Sequence, residues 1–423
     1  MAKLFSDRNR PVHMGRFPTE ILKRSGHMPD LDGLAPWPDL SFQRPAGSAS
    51  LVPAMAEFQA MMDAVRDGPQ NQAPSEIPED RLERSRHLKS FAYFNDISMV
   101  GIAPLGQADR LAAARRNPQI DRLSHALQTR QTKTLAAGID VIMADLRESM
   151  TAKPQPMEHH TYALVFLVAY RRDPRPGENG CDWVQDAQAE RAAVLGTETA
   201  TVLANYIRIL GYSARAHSAT TCDVDLARLA VKAGLAQVAG DEITHPWLGQ
   251  RFGLAAVTTD MALAPDLPLA ADQPQSALMG LDWTLGRHGG ASRRSHDPYA
   301  RREYAQGAHP FETLKRVETP TTYIDEPNVA RVPKRTDMFA RAQFGDMGPA
   351  LQKGATAGHY ARKAAPSSAQ RRLLGAFVLL QDGEPAAHAQ QIAPEVATDN
   401  IKGASYFLGI DATGLSRCPE WSW

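Results

Sequence analysis

The sequence predicts an α/β (α+β) fold, and three stretches carry that expectation. "TYALVFLVAY" (Thr161–Tyr170) and "FGLAAVTTDMAL" (Phe252–Leu263) are apolar runs without polar alternation, the pattern of strands covered on both faces. Between them, the Ala- and Leu-rich stretch Ala187–Leu210 reads as a long helix with Gly211 placed to cap it. Helices alternating with buried strands indicate layers of helix on sheet.

The other elements follow in chain order. Residues 1–80 are rich in Pro, with short apolar pieces such as Leu34-Ala35-Pro36-Trp37, and read as an extended arm without its own core. "QNQAPSEIPED" (Gln70–Asp80) marks the boundary to an α/β domain over 81–275. Within it, "FAYFNDISMVGIAPL" (Phe91–Leu105) is a helix or strand leading to an apolar strand and a turn. A strand at Tyr212–His217 follows the long helix, and a further helix covers Asp223–Ala233, ended by Gly234. Residues 276–397 show weak periodicity and form a connector whose one convincing helix is Ala369–Asp382. From 398 a new strand and loop begin.

Composition excludes several classes of function. Acidic and basic residues balance at 47 each, so no global field argues for nucleic acid or an acidic membrane surface. No apolar stretch approaches the roughly 20 residues of a membrane span, and the N-terminus lacks the apolar core of a secretory signal. The cytoplasm is the default expectation. Cys181, Cys222 and Cys418 include no CxxC, so local spacing builds neither a zinc ribbon nor an iron–sulfur cluster. His159-His160, beside Glu158, reads as a polar strand-entry turn, since no HExxH spacing accompanies it. "GYSARAH" (Gly211–His217) lacks the GxSxG elbow of a hydrolase. "GRHGG" (Gly286–Gly290) lacks the Lys-Ser/Thr of a phosphate loop, and the basic cluster Arg293, Arg294, Arg301 and Arg302 reads as a solvated face, with an anion site as the alternative.

An internal repeat reorganises the end of the chain. "KSFAYFNDISMVGI" (Lys89–Ile102) matches "KGASYFLGIDATGL" (Lys402–Leu415) at an offset of 313 residues. Lys89, Tyr93, Phe94, Ile97 and Gly101 fall on Lys402, Tyr406, Phe407, Ile410 and Gly414. The stretch 398–423 then reads as the opening of a second copy, and the chain as the N-terminal piece of a longer protein.

Several segments together resemble cobalamin-dependent reductive dehalogenases of the soluble, respiration-independent type. The resemblance runs through "ANYIRILGYSARAH" (Ala204–His217), Ala233-Gly234-Leu235, Ile243-Thr244, Gly253, Val257, Thr259-Asp260 and Leu263. It continues in "RTDMFARAQFGDMGP" (Arg335–Pro349) and "YFLGIDATGLSRCPEW" (Tyr406–Trp421). It implies a nitroreductase-like sheet flanked by helices over 81–275, a degenerate cobalamin-binding-type domain, ahead of a working copy that begins near 398. It also implies reductive removal of halide from organohalides, halogenated phenolic acids among them, with cobalamin and two 4Fe-4S clusters. An electron-donating reductase is the implied partner, and a homodimer is an open assembly.

This copy departs from the family pattern. Ala236-Gln237-Val238-Ala239-Gly240 replaces a Gly-rich run, which suggests that it binds no cofactor. The family's iron–sulfur cysteines are missing, and its proton-donating Tyr with a basic partner would lie past Trp423. No catalytic residue is therefore expected in this chain. The loop residues Trp421, Ser422 and Trp423 are the ones expected to reach a substrate pocket. The rival reading is a non-catalytic α/β binding or dimerisation module.

Overall fold

The computed structural model describes residues 22–45, 48–129, 148–170, 173–174, 176–178, 180–273, 315, 317–319, 321–357, 365–378, 387–388, 391–410 and 412–422. The motifs at 286–304 lie outside them. At the centre is a four-stranded sheet of β1 (Met99–Pro104), β3 (Tyr162–Ala169), β4 (Ala214–His217) and β8 (Phe252–Thr259). Its order is β1-β3-β8-β4, with every neighbour antiparallel. Two ribbons flank it: β2 (Arg110–Arg115) with β5 (Cys222–Val224), and β6 (Gln237–Ala239) with β7 (Glu242–Thr244).

The register explains why the two central strands lack alternation. Leu164 opposite Val257 and Phe166 opposite Ala255 point to one face, while Val165 opposite Ala256 and Leu167 opposite Leu254 point to the other. The first face packs under α1 (Val52–Ala64), α2 (Arg81–Phe94), α5 (Gln188–Ile209) and α9 (Ala365–Val378). The second packs against α6 (Leu226–Lys232) and Leu31 and Leu34 of the N-terminal segment. Both faces of a strand are buried, so both parities must be apolar. Two shorter helices, α3 (Ile120–Thr129) and α4 (Cys181–Val184), lie between β2 and β3 and just ahead of α5.

Four expectations are corrected. Residues 1–80 are not all arm, because α1 is a helix whose Met61 and Met62 are fully buried in the first core. Its one proline, Pro53, stands at its start, where the missing N–H costs nothing. Asp223 belongs to β5, and α6 starts only after Asp225, whose carboxylate accepts from Ala227 N at 3.0 Å and caps the helix. The segment from 398 opens in a helix, not a strand. It lies in α10 (Pro394–Phe407), and 412–422 holds a 3-10 turn at Glu420–Ser422 with no strand. Strand pairing needs a neighbour, and 412–417 has no ladder partner among the described residues. The connector also carries more helix than Ala369–Asp382, namely α7 (Met338–Gln343) and α8 (Pro349–Ala357), besides α9.

Gly101 of β1 lies directly beneath the C-terminal end of α6, where a Cβ would overlap the Ala233 carbonyl. Gly101→Ala is expected to cost about 1–3 kcal/mol through this overpacking, read as a lower denaturant midpoint. An unchanged midpoint would show that α6 can lift off β1 freely.

Candidate functional site

The densest polar constellation is buried at the β4 edge of the sheet. His160, in the turn before β3, has Nδ1 2.8 Å from Thr258 Oγ1 and Nε2 2.8 Å from Ser213 Oγ. His217, at the end of β4, reaches the same Thr258 hydroxyl at 2.9 Å and accepts from Asp223 N at 3.2 Å. That accepted bond assigns the His217 proton to Nε2, so the rings and hydroxyls form one chain of alternating donors and acceptors. Burial first, then His159, Arg215 and Arg110, pushes the His160 imidazole down to about 3. His217 is held well below its ordinary value, chiefly by burial. Both rings are therefore neutral at pH 7.

Beside this chain, Asp63 of α1 gathers donors from distant segments. Its carboxylate accepts from Ser218 Oγ at 2.7 Å, Thr220 Oγ1 at 2.6 Å, Asn117 Nδ2 at 3.0 Å and Gln59 Nε2 at 3.3 Å. Arg66 and Arg215 bind Asp67 and Asp223 at its margin.

A serine hydroxyl against an imidazole nitrogen is the contact of a nucleophile with its base. Here Ser213 and His160 are each less than 5% exposed, and neither lines either of the two clefts described below. The arrangement joins α1, β4, β5 and β8 and offers no substrate an approach.

Those clefts lie at the other end, around the β6–β7 ribbon. One, of about 460 Å³, is lined by Gln237, Thr244, His245, Trp247 and Asp272. The other, of about 390 Å³, lies between Ser25, His27 and Met28 of the N-terminal segment and Val231, Ala236 and Val238. His245 accepts from Trp247 N at 3.2 Å, and burial pushes its imidazole down to about 3. The turn at Gly234 adopts φ +65° and is closed over by Arg24, which donates to Gly234 O at 2.8 Å and Leu267 O at 2.9 Å. A side chain at Gly234 would overlap the Arg24 guanidinium.

The loop residues expected to reach a substrate pocket lie elsewhere. Ser422 Oγ donates to Pro419 O at 2.7 Å and sits 3.1 Å from Cys418 Sγ. Trp421 is part-exposed, Trp423 is outside the described residues, and neither described cleft is lined by this loop. Arg331 of the connector donates to Glu420 O and holds the loop beside the connector. The Asp63 and His217 constellation escaped sequence reasoning, because its members are single residues scattered from 59 to 258 with no common spacing.

No protein-family model and no curated protein sequence matches the chain. Solved structures do. A catabolic reductive dehalogenase, NpRdhA, in complex with 3-bromo-4-hydroxybenzoic acid is 30% identical, with a TM-score of 0.72 over 99% of this chain and 54% of that one. A reductive dehalogenase structure suggesting a mechanism for B12-dependent dehalogenation is 31% identical, with a TM-score of 0.71 and the same two coverages. The chain thus spans about half the length of the solved structures it matches. No described helix is long and apolar enough to cross a membrane.

Cobalamin does not fit at the Gly234 turn. The space at the Gly234 turn is taken by the chain's own Arg24, and Trp37 stacks on Phe252 at 5.4 Å on the same side of the sheet. The two clefts fall in the lower part of the ~300–1,000 Å³ range of small-ligand pockets. Among the described residues no three His, Cys, Asp or Glu side chains converge as a metal site.

Proposed function

We propose that this chain is the front half of a reductive dehalogenase that removes halide from halogenated phenolic acids. The observation that carries the reading is the likeness to dehalogenase structures over 99% of this chain at 30% identity. In this reading the α/β domain of 81–275 is a cofactor-free copy of a nitroreductase-like, cobalamin-binding-type fold. A working copy opens near residue 398, and its continuation carries cobalamin, two 4Fe-4S clusters and the contact with an electron-donating reductase. No catalytic step is assigned to the 423 residues themselves.

The geometry of the repeat supports the duplication. Helices α2 and α10 are both 14 residues long and begin and end 313 residues apart. After each, the next-but-one residue turns left-handed, Asp96 at φ 62° and Gly409 at φ 100°. Ile97 N then donates to Ala92 O at 3.2 Å, and Ile410 N to Ser405 O at 3.0 Å. Tyr93 Oη accepts from Val100 N at 3.4 Å, and Tyr406 Oη from Thr413 N at 3.4 Å. Five matched side chains thus sit in one recurring helix-exit geometry.

What differs is burial. Ile97 is 3% exposed and Ile410 54%, and the pairs Leu88 with Ile401 and Ile102 with Leu415 divide the same way. Gly101 is crowded by α6, whereas nothing lies within 4 Å of a Cβ at Gly414. Phe94 and Phe407 divide the other way, at 61% and 0%, so the two segments share an exit geometry but bury different side chains.

The test is to express the whole product of the gene and measure bromide release from 3-bromo-4-hydroxybenzoate under reducing conditions, after cobalamin and iron–sulfur loading. Release by that product and none by the 423-residue chain is expected. A reading frame closing after Trp423, or a longer product that releases no halide, would overturn the proposal. The second reading, a binding or dimerisation module, would then account for the exposed apolar residues of the C-terminal third.

A further inference from the structure

Exposed apolar surface is unevenly distributed. Among the described residues, five large apolar side chains lie exposed before residue 270 and fifteen after residue 315. Five of the fifteen, Met338, Phe339, Phe344, Met347 and Leu351, belong to the short hairpin of α7 and α8. Scattered single apolar residues are normal on a surface, but a cluster of this kind marks an interaction site.

The hairpin is ordered by its own polar contacts. Asp337 caps α7 by accepting from Phe339 N at 2.9 Å and Ala340 N at 3.3 Å. Arg335 binds Asp346 through both terminal nitrogens, at 2.7 and 2.8 Å, and lies 4.2 Å over the Phe344 ring. A bidentate pair fixes both position and orientation. The apolar residues are therefore presented outward from a fixed frame, and α7 buries only Ala342.

We infer that this hairpin is the docking surface for the polypeptide that follows Trp423, clamping the second copy onto the first. The inference rests on the front-half reading above. Three observations select that occupant. The Arg331–Glu420 contact brings the connector that leads into the hairpin against the loop from which any continuation departs. The exposed Ile410 and Leu415 of the second copy belong to that same C-terminal stretch. The matched dehalogenases are nearly twice as long as this chain, so a second body of comparable size is available to cover the hairpin.

Hydroxyl-radical labelling read by mass spectrometry tests this on the full gene product and on the 423-residue chain. Labelling of Met338, Phe339 and Met347 is expected to fall several-fold in the full product, while the exposed Met28 is labelled equally in both. Phe339→Asp is expected to lower the thermal midpoint of the full product and leave that of the 423-residue chain unchanged. Equal labelling of the hairpin in both, with halide release intact, overturns this inference alone. Protection that appears in the 423-residue chain together with a dimeric mass overturns it in favour of a second copy of this chain. A reading frame that ends at Trp423 removes both this inference and the front-half reading.

Discussion

Asp63→Ala is expected to lower the free energy of unfolding by about 3–5 kcal/mol, the scale of breaking a buried charged network. Asp63 is 3% exposed and accepts from four side chains of three separate segments. Truncation removes the acceptor and leaves buried donors behind, which is costlier than losing one isolated hydrogen bond. Gln59 keeps its 2.9 Å bond to Thr197 Oγ1, so the loss concentrates on Asn117, Ser218 and Thr220. Urea denaturation with unchanged slope would report it. A change below about 1 kcal/mol would mean that the donors find other acceptors and that the network does not hold α1 to the β4 edge.

Acid is expected to act on a similar scale. His160 and His245 are held at about 3 in the folded chain, against an ordinary value of 6.5. The folded values are the lower ones, so below pH 6.5 the unfolded chain binds more protons and stability falls as pH falls. Two pH units on two imidazoles, at about 1.4 kcal/mol per unit each, remove about 5 kcal/mol between pH 6.5 and 4.5. His217 contributes in the same direction. Asp225 and Asp260, whose carboxyls burial raises, act in the opposite sense and trim the loss. A loss of this size is a large share of a typical 5–15 kcal/mol total. Unfolding midpoints measured from pH 7 to 4.5 should therefore drop steeply, and His245→Gln should flatten the slope by about one proton. A profile that stays level from pH 7 to 5 would show that these imidazoles are not buried neutral.

Much of the central sheet was legible. Both parities of Thr161–Tyr170 and Phe252–Leu263 are apolar, and the structure buries both faces of β3 and β8. The helix expected at Ala187–Leu210 is α5, Gln188–Ile209. The helix-exit geometry shared by α2 and α10 coincides with five sequence identities, because it uses side chains and turns at fixed local spacing. Less legible was α1, because the proline-rich sequence around it masks thirteen helical residues that pack on α5.

By itself the sequence determined what is local: which runs are buried on both faces, where the long helix starts and stops, and which segment recurs 313 residues on. Periodicity and capping act within a few residues of the chain, so they can be read without its partners. Only the tertiary structure decided the antiparallel order β1-β3-β8-β4, the convergence of Asp63, Asn117 and Ser218, and the closing of the Gly234 turn by Arg24. It also decided that the segment from 398 opens in a helix docked by Phe407, whose carbonyl accepts from Arg191 Nε at 2.7 Å. Each of those contacts joins residues 39 or more positions apart. Their pairing is set by how the whole chain closes on itself, and no local pattern encodes it.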